Sequence, residues 1–271
     1  MTPTLRRPVL PRGTVPLATG VLLLALVPLG RFVTPFSPQE HVAQPWEPPG
    51  GRTLLGTDAL GRDVLSRVLA GGTQLMAVSL SAAAAAVACG TALGLIAGWT
   101  GGRTARAVHR LCDLLLAVPA LILALVLAVA LPGATAVVAA SLLSGAPLTA
   151  RVVAAQSAHL RERGHVRAAV ERGERTAAVL TREVLPALRG LVAADAGLRL
   201  VTALQIAAAL AVLGLGPQPP EPDWALMLNE NLPGAALNPM GLLAPAVPLA
   251  GCAWALAAAA RSLAHQPKDT V

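Results

Sequence analysis

The sequence predicts an all-α, polytopic membrane protein with six transmembrane helices. Three observations carry that expectation. Hydrophobic residues make up 55% of the 271-residue chain and charged residues only 13%, with a mean hydropathy of +0.63, outside the usual range of a soluble domain. The apolar residues gather into runs of about 20, the length that crosses a bilayer core. Arginine, which supplies nearly all of the basic charge, is mostly placed between those runs.

The net charge of +7 and pI near 11.1 raise nucleic-acid binding as an alternative, but aromatic residues are only 2% of the chain and tyrosine is missing altogether. Without stacking platforms that reading falls away. Cys89, Cys112 and Cys252 are isolated in or beside apolar runs, with no metal or disulfide spacing, and are expected to be buried packing residues.

Residues 1–14 form a short basic tail carrying Arg6, Arg7 and Arg12. The apolar run over 15–34 has the charged head of a signal peptide, yet Arg31-Phe32-Val33-Thr34-Pro35 follows it in place of a small-residue cleavage site. It is therefore expected to stay as the first span. Residues 35–72 mix proline, glycine and both charges and are expected outside the cell. There Asp58 is placed to cap a turn, and Val64, Leu65, Val68 and Leu69 make an apolar face suited to an interfacial helix.

The core is expected over 73–262. Its second span, about 75–99, carries Gly90, Gly94 and Gly98 at a spacing of four, which permits close helix packing. The third, about 107–131, should be kinked by Pro119, with Asp113 paired to Arg110 or Arg106. A weaker fourth span, about 134–150, contains Pro147. The fifth, about 191–213, holds Asp195 and Arg199 four apart, expected to pair near its beginning, and Gln205, a candidate for lining a polar path. An extracytoplasmic segment over 214–238 leads to a last span over about 239–260 and a tail over 263–271.

Between the fourth and fifth spans, residues 159–189 hold seven arginines and four glutamates and must lie in water. Val166, Ala169, Val170, Gly173, Ala177 and Leu180 share an approximate stripe, which predicts short helices outside the bilayer. Gly173 permits a sharp change of direction, and Pro186 should end one helix or begin the next. The arginine excess at the N-terminus, in the 100–110 loop and over 151–189 places all three, and the C-terminus, in the cytoplasm.

Three strings resemble known sequences. Arg167-Ala168-Ala169, three residues, Gly173, then Leu185-Pro186 resembles the EAA loop of the membrane subunits of bacterial ATP-binding-cassette importers. Gly56-Thr57-Asp58 with Gly61-Arg62-Asp63 is similar to a string just before the second span of the dipeptide, oligopeptide and nickel permeases. Leu213-Gly214-Leu215-Gly216, then Pro219-Pro220, Trp224 and Met227-Leu228, matches the same branch in order. The second permease subunit of such an importer is the chain's resemblance.

That resemblance implies a type I importer permease fold in a bacterial plasma membrane, a second homologous permease, cytoplasmic ATPase subunits and an extracytoplasmic solute-binding protein. It places ATPase coupling at Arg167, Ala168, Ala169, Glu171, Gly173, Leu185 and Pro186. It places ATP and Mg on the partner subunits, since this chain has no phosphate-binding loop of its own. The implied solute is a di- or oligopeptide, with nickel or a metal chelate as the alternative.

The sequence departs from the family's pattern. Its first acidic position is Arg167 here, with Glu171 one turn on as the nearest carboxylate; an acidic residue often found in the peptide branch is Ala207; and the usual charged ending after the last span is replaced by Ala260-Arg261-Ser262-Leu263-Ala264-His265. An ion-driven transporter would need polar groups through several spans, where only Gln205 and the Asp195/Arg199 pair stand. An enzyme would need converging acid, base or metal ligands, and the five histidines are scattered.

Overall fold

The computed structural model describes residue 27 and residues 29–264, with side chains through Ala260. The tail over 1–14, most of the first span and the last residues of the C-terminal tail lie outside the described residues. The chain forms α1 (Val64–Thr100), α2 (Gly102–Leu116), α3 (Ala120–Ala130), α4 (Gly133–Arg161), α5 (Gly164–Glu171), α6 (Thr176–Val179), α7 (Leu185–Val212), α8 (Trp224–Asn231) and α9 (Met240–Ala264).

Among the described residues, four helices are long and apolar enough to cross a membrane: α1, α4, the continuous run Thr176–Val212 and α9; the bent pair α2–α3 makes a fifth if it is one span. The expected sixth is the N-terminal run, whose described end is helical, with Val27 packed on the core. The spans themselves show three corrections.

The expected interfacial helix at 64–72 is not separate from the second span, because α1 runs unbroken for 37 residues. Asp63 begins it by accepting from the Ser66 backbone N–H at 2.8 Å. Gly71 and Gly72 do not interrupt it. They make room for the indole of Trp224, whose Cη2 lies 2.6 Å from where a Cβ on Gly72 would stand.

The fourth span is longer than expected. α4 continues past Arg151 to Arg161 with Pro147 inside it, and is the most buried of the spanning helices. α1 and α4 approach backbone to backbone through the glycine row. A Cβ on Gly90 would stand 2.6 Å from the Ala146 carbonyl oxygen, and one on Gly94 2.7 Å from that of Ala150. Only hydrogen fits at those contacts. Arg151 pairs with Asp113 of α2, in place of the expected Arg106 or Arg110, because α2 lies alongside α4. Pro119 stands between α2 and α3, which are inclined at 81°. At about 1.5 Å per residue neither is long enough to cross alone.

Pro186 begins the next helix, as expected. It sits in the first turn of α7, and a π-helical segment, Leu180–Val184, joins α6 to α7 without a break. Proline offers no N–H to the carbonyl four residues back, and the wider turn absorbs the mismatch, with Leu185 N–H reaching back to the Leu180 carbonyl.

Two apolar clusters hold the bundle. The larger joins Leu75, Met76, Val137, Leu200, Leu204, Leu210, Trp224 and Leu256 across α1, α4, α7, α8 and α9. The smaller, Val153, Leu160, Val166, Ala169, Val179, Val184 and Leu188, fastens α5 and α6 beneath α4 and α7. Cys112 and Cys252 are buried as expected, whereas Cys89 is exposed on α1.

Candidate functional site

At one end of the bundle, the 56–63 string and the 214–231 stretch fold into one buried ionic cluster. Asp58 caps its own turn, accepting from the backbone N–H groups of Leu60 at 2.8 Å and Arg62 at 2.9 Å. Its other oxygen receives Arg62 Nε at 2.7 Å and Arg67 Nη1 at 2.5 Å. Arg67 Nη1 also lies 2.5 Å from Glu230 Oε2, and Arg62 Nη2 reaches both Glu230 oxygens at 3.2 Å. Two carboxylates and two guanidiniums thus form a neutral set, which is how charge survives burial. Arg67 is fully buried and Glu230 only 10% exposed.

Amides complete the joint. Asn231 accepts from the Ala59 N–H at 3.1 Å, and Asn238 donates to the carbonyls of Leu55 and Thr57. Thr57 donates to the Gln44 carbonyl at 2.5 Å and accepts from the Glu47 N–H at 2.8 Å. Gly56 and Gly61 take φ of 75° and 70°, the left-handed region that favours glycine. Trp224 Nε1 donates to the Val68 carbonyl at 2.6 Å. Gly214, Gly216, Pro219 and Pro220 form the turn that delivers Asp223, which caps α8 by accepting from Ala225 at 2.9 Å and Leu226 at 3.0 Å. Burial pushes the Asp223 carboxyl up, against those backbone hydrogen bonds and the charge of Arg67.

Of this cluster the sequence reading singled out Asp58, Arg62 and Asp63 but missed Arg67, Glu230, Asn231 and Asn238. One signal was available: Glu230 stands in a stretch with no cation, so its partner had to come from elsewhere in the chain.

At the other end, Gly173 follows the C-cap of α5 with a φ of 76°. Gly173 N–H bonds the Val170 carbonyl at 3.0 Å and Glu174 N–H the Ala169 carbonyl at 3.2 Å, a Schellman closure that turns the chain into α6. Arg167, Val170, Glu171 and Gly173 face solvent, Ala168 is half-buried, and Ala169 points inward with Val166. Of the expected stripe, then, Val166 and Ala169 serve the chain's own packing, Leu180 is half-buried, and Val170, Gly173 and Ala177 stay exposed. Leu185 and Pro186 lie exposed where the π segment enters α7. Beside α5, an open polar recess of about 620 Å³ is lined by Gly98, Ala158, Arg161, Glu162 and Arg167. Arg161 is fixed there, its guanidinium 5.3 Å from the Trp99 ring centroid and donating to the Trp99 carbonyl at 2.6 Å.

The expected Asp195–Arg199 pair is present at 3.3 Å within α7. Asp195 also accepts from Thr149 Oγ1 at 2.5 Å. Gln205 lines a pocket of about 340 Å³ with Arg199 and Thr202 of α7, Ser144 and Gly145 of α4, and Ala120 and Leu121 of α3. Among the described residues, no group of three or more His, Cys, Asp or Glu side chains is placed to hold a metal.

The bundle of apolar helices thus carries a pair of short helices at one end and a buried polar cluster at the other. Residues 90–265 match the family described as the inner membrane component of binding-protein-dependent transport systems, and the chain belongs to that family. It is 33% identical over 242 residues to the glutathione transport system permease protein GsiD of Salmonella typhimurium, covering 87% of this chain and 80% of that protein. The protein of the same name from Escherichia coli strain UTI89 is 32% identical over 230 residues, covering 84% and 76%. The chain is therefore a multi-pass, non-catalytic permease subunit of an ATP-binding-cassette importer of the peptide group, a kind of transporter that works with ATPase and binding-protein partners.

Proposed function

We propose that this chain is one half of a heterodimeric translocation unit for short peptides, paired with a second homologous permease, with both termini in the cytoplasm. The observation that carries the reading is the pairing of the two outer strings in one buried cluster, because they are the strings in which the chain resembles peptide permeases. The similarity to permeases named for glutathione, itself a short peptide, points to the same solute class.

In this reading α5 and α6 are the coupling helices. Arg167, Val170 and Glu171 offer side chains to an ATPase cleft, Gly173 sets the angle between the helices, and Ala168 lets the surfaces close together. ATP and Mg sit on the ATPase subunits. The smaller apolar cluster ties Val166 and Ala169 to α4 and α7, so a push on α5 is passed to two spans as rigid bodies. The outer plate, from Gly56 to Asp63 and Gly214 to Trp224, receives the solute-binding protein.

Uptake of labelled di- and tripeptides by cells with and without the chain tests the solute class. Loss of peptide uptake on deletion, restored by the intact gene, is expected. Unchanged peptide uptake together with lost nickel uptake would move the assignment to the metal alternative.

A further inference from the structure

Arg199 stands thirteen residues before Val212, the last residue of α7, and fourteen after Leu185, the first. At about 1.5 Å per residue it is about 20 Å from either end, near the middle of a hydrocarbon core about 30 Å thick. A cation at that depth is costly unless it is paired and turned away from lipid. Both conditions hold, since Arg199 contacts Asp195 and faces the pocket between α3, α4 and α7.

The pairing is lopsided. Asp195 has both oxygens engaged, one by Arg199 Nη2 and the other by Thr149 Oγ1. Arg199, with five N–H donors to place, puts Nη2 alone on that carboxylate, and its buried Nε has no acceptor among the described residues. The stem of Arg199 reaches the pocket over Gly145, where a Cβ would stand 3.3 Å from Arg199 Cδ. The other polar groups on the pocket wall are neutral: Gln205, with no hydrogen bond among the described residues, and the hydroxyls of Thr202 and Ser144, which donate to carbonyls of their own helices. A tethered guanidinium with spare donors beside a free amide is a recognition set for a carboxylate. A structural ion pair would instead fill its donors within the bundle.

We propose that this pocket is the chain's wall of the solute path and that Arg199, held by Asp195, makes it selective for solutes carrying a carboxylate group. The proposal rests on the importer reading and adds to it a residue and a chemical preference. Gln205 lies on the same wall six residues, about 9 Å, nearer the Val212 end of α7, so a solute entering from that end meets the amide first and the cation next.

The test uses the assembled complex in membranes, with Cys89, Cys112 and Cys252 replaced by alanine and Gln205→Cys added. The probes are an anionic and a cationic thiosulfonate reagent, ethylsulfonate and ethyltrimethylammonium, each rate being divided by its rate on free cysteine. With Arg199 present the anionic reagent is favoured, and Asp195→Asn raises that preference further. The paired change Asp195→Asn with Arg199→Met, which leaves no unpaired charge buried, lowers it about tenfold, while Arg199→Lys retains it. A preference unchanged by the paired change overturns the proposal, as does a Gln205→Cys thiol that neither reagent reaches. Co-purification of ATPase subunits with each variant is scored separately, so that failure of the importer reading shows as a missing partner rather than as an altered reagent preference.

Discussion

Arg67 Nη1 lies 2.5 Å from Glu230 Oε2, and 163 residues of chain separate the two. This contact, shared with Asp58, joins the start of α1 to α8 in a setting almost closed to water. Removing one member of such a set leaves a buried charge uncompensated, which costs about 3–5 kcal/mol. Glu230→Ala should therefore reduce the amount of folded chain in the membrane and lower its thermal midpoint in detergent. The pair Arg67→Met with Glu230→Ala should lose less than the sum of the single changes, read by the same midpoint. Strict additivity would mean the two are not coupled.

Trp224 covers Gly71 and Gly72 and donates to the Val68 carbonyl. Trp224→Phe removes the donor and part of the ring and is expected to cost about 1–3 kcal/mol, the hydrogen bond together with lost packing. Gly72→Val should be worse, since its side chain would occupy the space of the indole and of Val27. Thermal midpoints of the two variants check the order.

Burial holds the Asp223 carboxyl above its ordinary value of 3.8. A carboxyl raised by folding binds its proton more tightly in the folded state, so its contribution to stability falls as pH rises from about that ordinary value through the raised one, and stays lost above it. Asp223→Asn keeps an oxygen to accept from Ala225 and Leu226 and cannot ionise. Relative to the natural chain, its stability should therefore be greatest at neutral pH, with the difference shrinking as pH falls toward 4. Unfolding of both proteins over a pH series measures this, and a difference independent of pH would contradict it.

Gly173 has open space around it, and only its φ of 76° restricts replacement. Gly173→Val should strain the α5–α6 turn by about 1–2 kcal/mol without blocking any packing inside the chain. Insertion and folding should persist, whereas stimulation of ATP hydrolysis by the solute-binding protein should fall sharply. Normal stimulation in that variant would remove the hinge from the coupling mechanism.

The helical class and most spans were legible because apolar runs and arginine clusters report on the bilayer directly. That α1 packs closely on a neighbour along Gly90, Gly94 and Gly98 was equally readable, but that the neighbour is α4 was not. What sequence hid was set by neighbours. Gly71 and Gly72 lie inside α1, where Trp224 fills the space they leave, and a π segment carries α6 into the turn of α7 that holds Pro186. Ala169 belongs to a string that resembles a docking surface, yet it faces the chain's own core because α5 lies against α4 and α7. The buried ionic cluster was half visible, with the Asp and Arg of 56–63 in view and Arg67 and Glu230 not. Partners so far apart in sequence meet only through the fold.

The most direct test of the account is recovery of the tagged chain from its native membrane in a gentle detergent, followed by identification of what accompanies it. The account predicts a second, homologous polytopic chain together with P-loop ATPase subunits, lost or weakened when the α5 surface is altered by Arg167→Glu with Glu171→Arg. A chain recovered alone or only with copies of itself, under conditions that keep other transporter complexes whole, would contradict it.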